Sequence, residues 1–182
     1  MTDVTAGPDL GAYWKNAFSW DDYLNREVQQ NADLWKSLYG RAAVSDAARE
    51  RANGLGGSWR ILVISEDWCG DAFNTVPVMA RLAEGVPGIE LRVAKRDENL
   101  ELMDAFLTNG SRSIPIAIVL REDDTVAGHW GPRPPELQEF VLSEKKKGER
   151  PVEEIYKDVR TWYARDRGET TVRQILDIIA AA

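Results

Sequence analysis

The run Ile61-Leu62-Val63-Ile64 has no polar alternation after Arg60. A strand that is apolar on both faces has to be covered on both faces, so this run predicts an inner strand of a sheet with helices on each side. Directly after it stands Ser65-Glu66-Asp67-Trp68-Cys69-Gly70-Asp71-Ala72, with a helical pattern beginning near Asp71. That order puts a thiol at a strand-to-helix turn, where backbone N–H groups and the helix dipole can stabilise a thiolate. Cys69 is the only cysteine in the chain. The polypeptide therefore cannot close an internal disulfide.

The remaining pattern builds outward from this unit. Ser19 before Trp20-Asp21-Asp22 is a good cap, and the spacing predicts a helix to about Tyr39-Gly40. Ser45 is expected to cap a second helix, Asp46 to Asn53, ended by Gly54, Gly56 and Gly57. Trp59 to Ile64 reads as the first long strand, and Pro77 falls inside the helix that follows it. Ile89 to Ala94 reads as a second strand and Glu98 to Leu107 as a helix capped by Asp97. Ile116 to Leu120 and Thr125 to Trp130 make a hairpin, and Gly131-Pro132-Arg133-Pro134-Pro135 breaks the chain. Helices are expected over Pro135 to Lys147, Val152 to Arg167 and Thr171 to Ala181, the last capped by Thr170 or Thr171. A strand–helix–strand unit followed by an antiparallel hairpin implies a mixed sheet with helices on both faces.

Composition narrows the function classes. The chain has 182 residues and a net charge of −7. That charge argues against nucleic acid or an anionic membrane as partner. The Lys145-Lys146-Lys147 run reads as a solvated helix end. No apolar run approaches the ~20 residues of a membrane span, and Met1 to Leu10 lacks the features of a signal peptide. One cysteine and one histidine, His129, give no Cys/His metal site, and no cofactor is expected. A soluble, cytoplasmic protein is the expectation, and nothing in the sequence sets its oligomeric state.

Several motifs, taken together, resemble the thioredoxin superfamily. Trp68-Cys69-Gly70 is similar to the opening of the family's Trp-Cys-Gly-Pro-Cys active site. Pro77 has the place of the proline in the family's active-site helix, and Arg112-Ser113-Ile114-Pro115 resembles the loop that bears its cis-proline. More narrowly, the chain is similar to a bacterial thioredoxin-like group with Trp-Cys-Gly-Asp at this place, a helical N-terminal extension and a Trp-Gly-Pro-Arg-Pro segment, here Trp130 to Pro134. The resemblance implies an α/β thioredoxin-like fold, a central mixed sheet flanked by helices. It implies a core over residues 57–148, with helical extensions over 1–56 and 149–182. Asp71 stands for the motif proline, Ala72 for the resolving cysteine, and Val63 where thioredoxins carry a buried acid.

Reduction of a disulfide by a dithiol takes two steps, and Cys69 can perform only the first. The resemblance thus implies a monothiol route, with protein disulfides or low-molecular-weight thiols as partners and release by an external thiol. Trp68, Gly70, Asp71, Ile114 and Pro115 would hold the substrate, with Trp68 over the site and a cis Ile114–Pro115 bond presenting backbone to an extended peptide. Glu66, Asp67 and Asp71 are expected to cancel most of the helix contribution to Cys69 acidity. Lys95, Arg96 and Arg112 are candidate modifiers, near the carboxyl ends of the strands. The alternative is a redox-inactive module that uses the same groove for binding.

Overall fold

The computed structural model describes residues 7–182. Its sheet has five strands in the order β1-β3-β2-β4-β5. They are β1 Phe18–Ser19, β2 Trp59–Ser65, β3 Ile89–Lys95, β4 Ile116–Leu120 and β5 Val126–Trp130. β2 runs parallel to β3 and antiparallel to β4, and β5 is antiparallel to β4. The sheet is mixed, as the pattern predicts. Ile61, Leu62, Val63 and Ile64 are fully buried, so the strand without alternation is indeed covered on both faces. The C-terminal ends of β2, β3 and β5 and the start of β4 meet at one edge, because Ile64 pairs with Ile116 and Ala117 with Trp130.

Among the described residues, helices α1 Leu10–Asn16, α2 Trp20–Asp22, α3 Ala32–Arg41 and α4 Asp46–Leu55 precede or flank β2. Ser19 and Ser45 cap α2 and α4 through their side-chain oxygens. The single helix expected from Trp20 to Tyr39 is instead broken. α2 widens into a π-helical turn over Tyr23–Glu27, the chain leaves the helix at Val28, and Asn31 takes φ 56° before α3 starts. The cause is tertiary. The backbone N–H groups of Gln29 and Gln30 donate to Asp67 Oδ2 at 2.8 and 2.7 Å. An external acceptor therefore takes donors that a continuous helix would have used. Trp20, Tyr23, Trp35 and Tyr39 nevertheless pack as one aromatic cluster against Phe73.

Helix α5 Gly70–Gly85 contains Pro77, and α6 Leu100–Asp104 is shorter than expected. Asp97 does not cap α6. It lies in a 3-10 turn, its carboxylate accepts from Arg96, and its N–H donates to Glu66. Helices α7 Pro135–Lys147, α8 Val152–Asp166 and α9 Glu169–Ala180 complete the chain. Gly168, not Thr170 or Thr171, is the N-cap of α9. The Thr170 hydroxyl and N–H turn back to Asp166, and Thr171 is buried.

Two apolar cores result. α9 contributes Val172, Ile175, Leu176 and Ile179 to the main core under the sheet. α7 and α8 enclose a small separate core of Leu137, Val141, Ile155, Val159 and Tyr163. No helix among the described residues is long and apolar enough to cross a membrane.

Candidate functional site at Cys69

The loop from Ser65 to Cys69 is clamped from the N-terminal side. Besides the two N–H bonds onto its carboxylate, the Asp67 carbonyl accepts from Trp35 Nε1 at 2.9 Å. Glu66 turns to the N–H of Asp97 at 2.9 Å. Both carboxylates thus accept from backbone N–H groups of other elements.

Cys69 is the N-cap residue of α5 and is 8% exposed. Its Sγ donates to the carbonyl of Ile114 at 3.5 Å, a bond that needs the protonated thiol. Burial pushes the thiol up to about 11. The N–H groups of Ala72 and Asp71 and the Arg133 guanidinium act downward, and the charge of Asp71 acts upward. Desolvation therefore outweighs the helix start. Burial, which the local sequence around Cys69 does not reveal, decides the outcome. Val63 and Ala72 are fully buried, so apolar groups fill the places where thioredoxins carry the buried acid and the resolving thiol.

Asp71 stands in the first turn of α5, yet its carboxylate faces away from solvent. Arg133 binds it with two prongs, Nε to Oδ1 at 3.0 Å and Nη2 to Oδ2 at 2.8 Å. The Tyr163 hydroxyl donates to Oδ1 at 2.8 Å, and Arg133 Nη1 reaches Gln138 at 2.7 Å. Burial pushes the Asp71 carboxyl up, while Arg133 and Tyr163 pull it back. A buried pair with every prong satisfied is stable in place. Removing one partner of such a pair typically costs about 3–5 kcal/mol. This network joins α5, the segment after β5 and α8 at a single carboxylate.

The Ile114–Pro115 bond is cis, as the loop resemblance implies, and Gly131–Pro132 is cis as well. Gly131 has φ 118°, and a Cβ there would lie 2.1 Å from the Pro115 carbonyl oxygen, so the two proline loops touch backbone to backbone. Trp68 is 44% exposed and lies beside the site, with Arg96 4.9 Å over its ring.

A groove of about 900 Å³ runs along this edge. Trp68, Cys69, Gly70, Asp71 and Ile114 line one side, and Val152, Tyr156 and Arg160 of α8 line the other. Of the candidate modifiers, Arg96 and Arg112 line the groove, and Arg112 also pairs with Asp104. Lys95 is engaged by Glu27 and Glu98 instead. His129 is exposed on β5 and packs edge-on against Phe106.

Sequence reasoning missed Arg133, Tyr163 and the α8 wall. An arginine just past a strand running parallel to β2 lies at the edge where open α/β sheets carry their sites. That placement was the available signal for Arg133. Tyr163 gave none, because Ile155, Val159 and Tyr163 repeat at helical spacing and read as core.

Two solved structures share this fold. An HIV epitope scaffold matches at TM-score 0.75 and 17% identity, covering 97% of this chain and 99% of its own. A Pseudomonas aeruginosa protein of unknown function matches at TM-score 0.74 and 18% identity, covering 96% and 98%. No functionally curated protein matches the sequence. The thioredoxin family profile matches residues 17–150, from β1 through the sheet and α5 to the end of α7. With the cis-proline loop packed against the thiol at the head of α5, the chain belongs to the thioredoxin family.

Proposed function

We infer that this protein is a thioredoxin-fold binding module whose groove receives an extended peptide, with Cys69 as a lining contact. The observation that carries this reading is the placement of the thiol, buried and turned onto the Ile114 carbonyl. At about 11, the thiolate fraction at pH 7 is near one in ten thousand. Beside it, Ser113 and the Ile114 N–H make no backbone–backbone hydrogen bond among the described residues, which leaves peptide groups for an added strand, while the Ile114 carbonyl accepts from Cys69. The Trp68-Cys69-Gly70-Asp71 sequence supports, on this reading, membership of the group with Trp-Cys-Gly-Asp in place of the dithiol motif.

The second reading is monothiol exchange resolved by an external thiol. What favours it is that Cys69 lines the groove at the start of a long helix. Raising a thiol by two units lowers its thiolate about 100-fold at neutral pH. The more basic thiolate is a better nucleophile, which restores roughly tenfold of that. Exchange would then run about tenfold slower than from an ordinary cysteine, before restricted access is counted.

Reduction of insulin or a small mixed disulfide, with a low-molecular-weight thiol added, separates the two. The wild type is expected to be no faster than Cys69→Ser. Turnover that disappears in Cys69→Ser would replace the binding reading with the monothiol route.

A further inference from the structure

We propose that α8 makes the groove selective for extended peptides that carry a carboxylate side chain. The proposal rests on the reading of the groove as a peptide site. Its observations are separate from the thiol. The groove volume lies within the range of ligand clefts, roughly 300–1,000 Å³. One wall holds Trp68, Ser113 and Ile114, the last two on the cis-proline loop. The facing wall is α8, which lies beyond the stretch matched by the family profile and brings Tyr156 and Arg160 to the groove. This wall is the part of the site in which the chain departs from the thioredoxin core.

The charges sort by sign. Arg96, Arg112, Arg133 and Arg160 line the groove, against Asp71 and Glu153. A chain with a net charge of −7 thus concentrates guanidinium groups at one cleft. The Arg133 charge is matched by Asp71. Arg112 is held by Asp104 with two prongs, and Arg96 meets Asp97 and the Arg112 carbonyl. Arg160 is exposed and joins no ion pair among the described residues. Glu153 lies two turns earlier on the same helix, about 10 Å away along its axis. That separation sets a register, with a carboxylate favoured beside Arg160 and disfavoured beside Glu153. Arginine's planar fork suits a carboxylate, and the Trp68 and Tyr156 rings suit the apolar neighbours of such a residue.

Selection of a phage-displayed random octapeptide library on the full-length protein tests this, with Arg160→Glu and Arg160→Ala run in parallel. Arg160 is exposed and outside both cores, so the variants keep the fold. Wild type is expected to enrich Asp or Glu at one position. That preference should vanish in Arg160→Ala and turn to Lys or Arg in Arg160→Glu. A selected acidic peptide should bind Arg160→Glu about tenfold more weakly. It should also bind wild type less tightly as salt rises from about 50 to about 300 mM. Enrichment without acidic preference, or one that Arg160→Glu leaves intact, overturns the proposal while the groove reading stands. No enrichment over uncoated support overturns both.

Discussion

Cys69 shows how one residue's surroundings outweigh its position. The head of a helix favours a thiolate, but an 8% exposed sulfur has lost most of its hydration. The pH dependence follows with a definite sign. The folded thiol titrates at about 11, against an ordinary value of 9.0, so between these values the native state holds a proton that the unfolded state releases. Cys69 therefore makes stability fall as pH rises from 9 toward 11, by about 2–3 kcal/mol in all, and contributes nothing below that window. Urea unfolding of wild type and Cys69→Ala at several pH values isolates this, since other titrating groups are common to both. The wild-type advantage should shrink across pH 9–11. A difference that is flat with pH would show a solvated thiol. At this scale the sequence was half legible. Trp68-Cys69 and Ile114-Pro115 are each contiguous in the chain, so each pair can be singled out from the sequence. Asp71 was found as a helix-start acid, but its partners Arg133 and Tyr163 are 62 and 92 residues away. Only the folded chain brings such partners together.

Elements were legible where one period ruled them. β2, α5, β3, the hairpin and α7 follow their apolar pattern closely, because each packs a single face or is buried throughout. The break between α2 and α3 was hidden, since its cause sits on a different element. Asp67 stops the helix by offering a carboxylate to two backbone donors. The same residue holds the loop that carries Cys69, so the N-terminal segment and the site are coupled through it. Asp67→Ala removes that acceptor and leaves two N–H groups to water. An expected loss of about 1–3 kcal/mol follows, read as a lower urea midpoint. Amide exchange should quicken first at Gln29, Gln30 and the Ser65–Cys69 loop, ahead of β2. Uniform exchange across the chain would instead mean that Asp67 does not couple these segments. Asp67→Asn, which keeps an acceptor oxygen, should recover part of the loss.

At the scale of the whole molecule, the three helices after the sheet divide into two parts with different work. α7 and α8 enclose their own small core and meet the rest of the site through Asp71, Arg133 and Tyr163. α9 returns to the main core and packs beside β5, α5 and α4. Its approach to α5 is close, for a Cβ on Gly168 would lie 2.7 Å from Val78. Sequence order alone sets residues 149–182 apart from the core as a helical extension, since α8 and α9 follow one another with no strand between them. Burial says otherwise for the last. Val172, Ile175, Leu176 and Ile179 are each at most 4% exposed. At roughly 1.5–3 kcal/mol for each buried aliphatic side chain, α9 contributes about 6–12 kcal/mol. That is comparable to the whole stability of a domain, about 5–15 kcal/mol. A chain ending at residue 149 is therefore expected to lose cooperative unfolding and near-ultraviolet circular dichroism. Restoring α9 as a separate peptide should return some of both, because its apolar face has one complementary surface. A sharp urea transition in the truncated chain would show that the sheet and α5 close their core without α9.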